Sequence, residues 1–207
     1  MTRRIHFRPA LGSGLALGLV LLLGACSSVS PPRFHSLMPA SVSTTPKIAP
    51  AGTVAWEVLP VVVPAQVDQP QWVVRTADGS LAVLEQERWI APLGEEVRAA
   101  VADRVTQELG SPAIPVEPGT IWRVRVDVQR FETAPGREVR LEATWAVSSS
   151  GDKASTLRCH GDFVQPVAAG GYPALASGHQ QTVARLADSV ARALKSLSAG
   201  LPATCSA

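Results

Sequence analysis

Residues 61–93 read VVVPAQVDQPQWVVRTADGSLAVLEQERWIAPL, and the architecture of the chain follows from this stretch. The run Val61-Val62-Val63 has the character of a buried strand and stops at Pro64. A short loop carrying Asp68 and Pro70 comes next. Two apolar segments, 72–76 and 81–84, then flank Asp78-Gly79. Asp-Gly supplies the positive φ that tight hairpin turns need, so a β-hairpin is expected here. Arg88-Trp89 and Ala91-Pro92-Leu93 lead directly into a helix. The stretch holds no catalytic motif and reads as a shaped surface.

Upstream, residues 53–63 form one expected strand, first alternating (Val54, Trp56, Val58) and then continuously apolar. That switch marks a strand entering a more buried position. Downstream, Leu93, Val97, Val101, Val105 and Leu109 recur at helical spacing. Glu95 and Glu96 sit in the first turn, where the helix dipole favours negative charge. Gly110-Ser111-Pro112 ends the helix.

Residues 121–131 alternate. Ile121, Arg123, Arg125, Asp127, Gln129 and Phe131 point one way, and Trp122, Val124, Val126, Val128 and Arg130 the other. One face is packed and one wet. Residues 138–148 are its antiparallel partner across the Ala134-Pro135-Gly136 turn, and 157–165 make a further strand. Residues 170–173 break the pattern, and 175–197 form a long helix with Val183, Leu186, Val190 and Leu194 on one stripe. The expected fold is α+β: a mostly antiparallel sheet with two helices packed on one face.

The amino terminus is a processing signal. Arg3, Arg4 and Arg8 precede an apolar run over 11–23, and Leu23-Gly24-Ala25-Cys26 reads as a lipobox. The run is too short to span a bilayer as a helix, which takes about 18–20 apolar residues. The chain therefore divides into a lipoprotein signal (1–25), a lipidated Cys26 with a Pro/Ser/Thr-rich tether (26–52), and one domain (53–207). Within the tether, Arg33 to Leu37 is a candidate edge strand. Acyl chains on Cys26, palmitate among them, give a stable anchor. Ser27 after the cysteine favours the outer membrane, in line with lipoprotein sorting as a class.

The chain has 207 residues and a net charge of +2, with 46% hydrophobic but only 5% aromatic residues. Such a mixed charge gives no electrostatic case for nucleic acid. His6, His35, His160 and His179 have no metal-ligand spacing. No G-x-S-x-G elbow and no P-loop occurs. No catalytic residue, metal or cofactor is assigned, and no enzymatic activity is expected. With Cys26 acylated, Cys159 and Cys205 remain. A disulfide between them would pin the tail to the sheet, and two unpaired thiols are the alternative, though free thiols are unusual outside the cytoplasm.

Pro64, Asp68, Pro70-Gln71 and Val74-Arg75, followed by Arg88-Trp89 and Ala91-Pro92-Leu93, resemble the signature of the PqiC-like ABC-type transport auxiliary lipoproteins. The family pattern runs roughly P-x-Y-L-D-R-P-Q-I-V-x-R, then R-W-A-E-P-L. Here Gln66-Val67 stand for Tyr-Leu, Gln69 for Arg, and Ile90-Ala91 for Ala-Glu. The resemblance implies a non-catalytic auxiliary of an MCE-type, ABC-linked lipid transport system. It implies docking on a periplasmic tunnel-forming MCE protein, as a ring of identical subunits facing the periplasm from the outer membrane. The ATPase would then lie on another chain. The rival readings are a periplasmic lipid- or peptidoglycan-acting enzyme and a monomeric lipid carrier.

Asp68, Arg75, Arg88 and Trp89 are the candidate interface residues. Trp and Arg are enriched at interface anchors, and three prolines stiffen the backbone around them. Turn capping, a sheet-edge ion pair and packing at the start of the helix are their structural alternatives.

Overall fold

The protein is seen in a computed structural model that describes residues 30–39, 54–113, 120–150 and 155–205. Its strands are β1 (Arg33–His35), β2 (Ala55–Val58), β3 (Gln71–Arg75), β4 (Leu81–Trp89), β5 (Ile121–Ala134), β6 (Glu138–Ser149) and β7 (Thr156–Pro166). The helices are α1 (Leu93–Leu109) and α2 (Gly171–Ser198). The signal segment, Cys26 and most of the tether lie outside the described residues. Among the described residues, no helix is long and apolar enough to cross a membrane.

The strands form two sheets rather than one. β2-β5-β6-β7 make the larger, and β1-β4-β3 the smaller. The β5–β6, β6–β7 and β3–β4 pairs are antiparallel, whereas β2–β5 and β1–β4 are parallel. Both helices pack together, and α2 crosses β6 and β7. The core fills the space between: Val124, Val126, Leu141, Val147, Leu186 and Leu194 are all fully buried. The fold is α+β, with mostly antiparallel pairing.

The first helix forms where its spacing predicts. Pro92 precedes it, Glu95 and Glu96 occupy its first turn, and Gly110 with φ 81° ends it. Leu93, Val97, Val101 and Val105 line its buried face. Gly94 meets the chain before the loop: a Cβ there would stand 2.8 Å from the Val61 carbonyl oxygen. α2 begins earlier than expected, at Gly171, because Pro173 falls in the first turn, where its missing N–H costs nothing.

Two expectations are corrected. The strand predicted to run on to Val63 stops at Val58. Pro60 has no N–H to give the ladder, yet the chain still follows β5: Leu59 donates to Val124 (2.9 Å), and Val62 bridges Asp127. Val62 is 57% exposed, so the valine run is not a buried strand. The alternation of β5 also fails to persist. A bulge between Val128 and Arg130 shifts the register. A one-residue shift exchanges the faces, so Phe131 and Thr133 join the core while Arg130 and Glu132 turn outward.

Candidate docking surface

The Asp78-Gly79 hairpin is built from its turn. Gly79 takes φ 89°. Asp78 Oδ1 accepts bonds from Thr76 Oγ1 (2.5 Å), Ser80 N (3.1 Å) and Ser80 Oγ (2.9 Å). These bonds, chiefly that from Thr76, hold its carboxyl at about 2. The rigid turn sets the register of Val73 against Val83 and of Arg75 against Leu81. Trp72 and Val74 point into the core, so these four side chains share the outer face. On that face Leu81 is 54% and Val83 48% exposed.

Arg75 crosses from the hairpin to β5. Its Nε donates to Glu132 Oε1 at 2.6 Å, and its Nη1 to the Gly79 carbonyl at 2.9 Å. The hydrogen bond to Glu132 raises the guanidinium pKa and lowers that of the carboxyl. Glu132 continues into a charged ladder on the helix-free face of the large sheet. Arg130 reaches Glu132 and Glu142, and Arg140 donates to Asp162. Water screens such exposed pairs, so each adds little to stability. Together they present an alternating polar wall beside the apolar Leu81–Val83 lip.

The structure divides the four candidate interface residues. Arg75 belongs to this wall. Asp68 and Arg88 lie instead at the other end of the loop, where a shallow groove of ≈ 350 Å³ is lined by Phe34, Pro70, Ile90 and Pro92 as well. Asp68 is exposed, and Arg88 Nε donates to the Glu85 carbonyl at 3.1 Å. Trp89 is not a surface anchor: it is 4% exposed and stacks on Trp72 with ring centroids 4.6 Å apart. The correction has a simple cause. β4 continues through Trp89, and a register shift in its ladder with β3 turns this end of the strand inward, where the ring also meets Phe131 and His179 edge-on.

Cys159 and Cys205 are joined by a disulfide, with Cα atoms 5.5 Å apart. It ties the tail beyond α2 to β7.

The residues that sequence reasoning missed are buried acids. Glu87 is 2% exposed and takes Arg33 and His35 from β1, the latter at 2.6 Å. Glu96, 6% exposed, accepts the Leu37 N–H and the Ser36 hydroxyl, both at 2.7 Å. A buried carboxylate is tolerated only with such partners. The short segment 33–37 is therefore clipped to the body by two charges. Parity along β4 gave no signal: Leu81 and Val83 stand in step with Glu87 and Trp89 yet face outward, because the ladder shifts register between Gln71 and Trp72. His179 is also fully buried. It lies flat on Phe131 and pairs through Nε2 with Thr133 Oγ1 at 2.8 Å. Burial drives its pKa down to about 3, so it is neutral. Among the described residues, no group of three His, Cys, Asp or Glu side chains is placed to hold a metal ion.

No curated protein matches the sequence. Residues 35–191 match the family described as the ABC-type transport auxiliary lipoprotein component. In fold, the chain is similar to a crystal structure of an uncharacterized protein, with TM-score 0.60 and 16% identity over 79% of this chain and 98% of that one. It is also similar to protein XCC0632 from Xanthomonas campestris, of the DUF330 family, with TM-score 0.52 and 16% identity over 76% of this chain and 91% of that one. At such identities the likeness to these structures is one of fold.

Proposed function

The chain belongs to the ABC-type transport auxiliary lipoprotein family, and from that membership we propose that it is a non-catalytic docking subunit of an MCE-type, ABC-linked lipid transport system. It is held at the outer membrane by acylated Cys26. Several copies join in a ring that seats on the periplasmic end of an MCE-domain tunnel protein. The mechanism is alignment: no bond is made or broken, and the ATPase is another chain.

One observation carries the reading. The outer face of the hairpin sets exposed Leu81 and Val83 beside the Arg75–Glu132 pair, on a turn held rigid by Asp78. A preorganised surface loses little entropy on binding. Apolar side chains at the centre and charges at the rim are the usual anatomy of a contact between proteins. We assign this face to contact between neighbouring copies in the ring.

The test is a pulldown of the acylated protein from chemically cross-linked membranes. An MCE-domain protein should be recovered with it. Efficient recovery of the lipoprotein without any MCE-domain protein would contradict the partnership.

A further inference from the structure

We propose that the corner formed by Phe34 and Ile90 lies against the lipid surface in which the chain is anchored, giving the domain one fixed membrane-facing end. The inference rests on acylation at Cys26, and three observations carry it.

The first is the chemistry of the corner. Phe34 is 55% and Ile90 60% exposed, and what is informative is that they form one patch. They adjoin, since the Ile90 N–H donates to the carbonyl of His35, the residue after Phe34, at 2.9 Å. Both line the groove with Pro70 and Pro92. Arg88 stands at the rim, its side chain 34% exposed. An apolar centre with a guanidinium at its edge suits the boundary between acyl chains and anionic headgroups. Asp68, also at the rim, would meet the ammonium of a zwitterionic headgroup.

The second is reach. Arg33 is seven positions after Cys26, and seven residues span at most about 25 Å even when fully extended. The third is the clip. Glu87 and Glu96 hold residues 33–37 to the body, so a pull on the tether is delivered at this corner. α2 runs away from it: Gln180 touches the Ser36 carbonyl at 2.9 Å, and Leu201 lies beyond the far end of the helix, about 27 Å further along its axis. Leu201 is 59% exposed and serves as the distant reference.

The experiment uses the acylated full chain in vesicles of phosphatidylethanolamine and phosphatidylglycerol. Ile90→Cys, Phe34→Cys and Leu201→Cys variants each introduce one free thiol, because Cys26 is acylated and Cys159 and Cys205 are bonded. Each is labelled with an environment-sensitive fluorophore, and acyl-brominated lipid is the quencher. Labels at 34 and 90 should shift to the blue and lose most of their emission, while the label at 201 keeps its own. Equal quenching at all three sites would overturn the proposal, as would unquenched labels at 34 and 90 on vesicle-bound protein. The second result would assign the corner to a protein partner. Flotation of the vesicles reads the anchor separately: protein left at the bottom of the gradient refutes the acylation on which the proposal rests.

Discussion

Arg75 on the hairpin donates to Glu132 on β5 at 2.6 Å, fastening the small sheet to the large one across 57 residues of sequence. The side chains are 35% and 23% exposed, so solvent screens the pair. A double-mutant cycle with Arg75→Ala and Glu132→Ala, read by urea unfolding at one fixed protein concentration, should give a small coupling, as for other screened surface pairs. Glu132 has a lowered folded pKa. Its contribution is therefore present above the usual glutamate range and is lost as pH falls through the lowered value. A coupling of several kcal/mol would mean that the pair holds the fold rather than decorating a surface.

His179 makes a larger demand on pH. Its folded pKa, about 3, lies below the ordinary value of 6.5, so the unfolded chain binds more protons between these limits. Stability is full above pH 6.5 and declines as pH falls toward 3, by as much as about 1.4 kcal/mol per pH unit. His179→Phe should flatten that slope, at the cost of leaving Thr133 unpaired. Identical slopes in wild type and variant would show that other groups drive the acid response.

The Cys159–Cys205 bond closes a loop with a sequence separation of 46. Disulfides typically contribute about 2–4 kcal/mol, and the chain-entropy account puts a loop of this order at the upper end. Cys205→Ser should lose that much in denaturant unfolding. In material isolated without reductant, neither thiol should alkylate until reductant is added. Two free thiols in the non-reduced protein would remove the bond.

Cys26→Ser should abolish acylation and block cleavage by the lipoprotein signal peptidase. Radiolabelled palmitate should enter the wild type alone. Equal labelling of the variant would place the anchor elsewhere.

Much of this fold is legible in the residues because its signals are local. Asp78-Gly79 announces the hairpin, and Pro92 and Gly110 bracket a helix whose apolar positions recur every four residues. What was hidden depends on long-range partners. The bulge after Val128 shows in the sequence only as a Phe131 out of step with Val124, Val126 and Val128, and it moves Phe131 into the core and Glu132 within reach of Arg75. Trp89 beside Arg88 has the composition of an interface anchor. Only the register shift in the β3–β4 ladder brings it against Trp72. Glu87 looks like one of several surface acids in Glu-Gln-Glu-Arg. Its partners Arg33 and His35 arrive from more than 50 residues away, a pairing that no local pattern encodes.

The most direct test of the docking account is native mass spectrometry of the acylated protein in detergent, comparing wild type with Leu81→Asp and Arg75→Ala, alongside circular dichroism. Leu81 is already more than half exposed, so Leu81→Asp should leave the monomer folded while placing a charge in the proposed contact between copies. A charge left buried without a partner costs about 3–5 kcal/mol, enough to dissociate a micromolar assembly. The account predicts a closed ring of identical copies for the wild type and folded monomers for Leu81→Asp, with Arg75→Ala weakened in the same direction. A wild type that is monomeric, or a Leu81→Asp variant that is as fully assembled as the wild type, would contradict it.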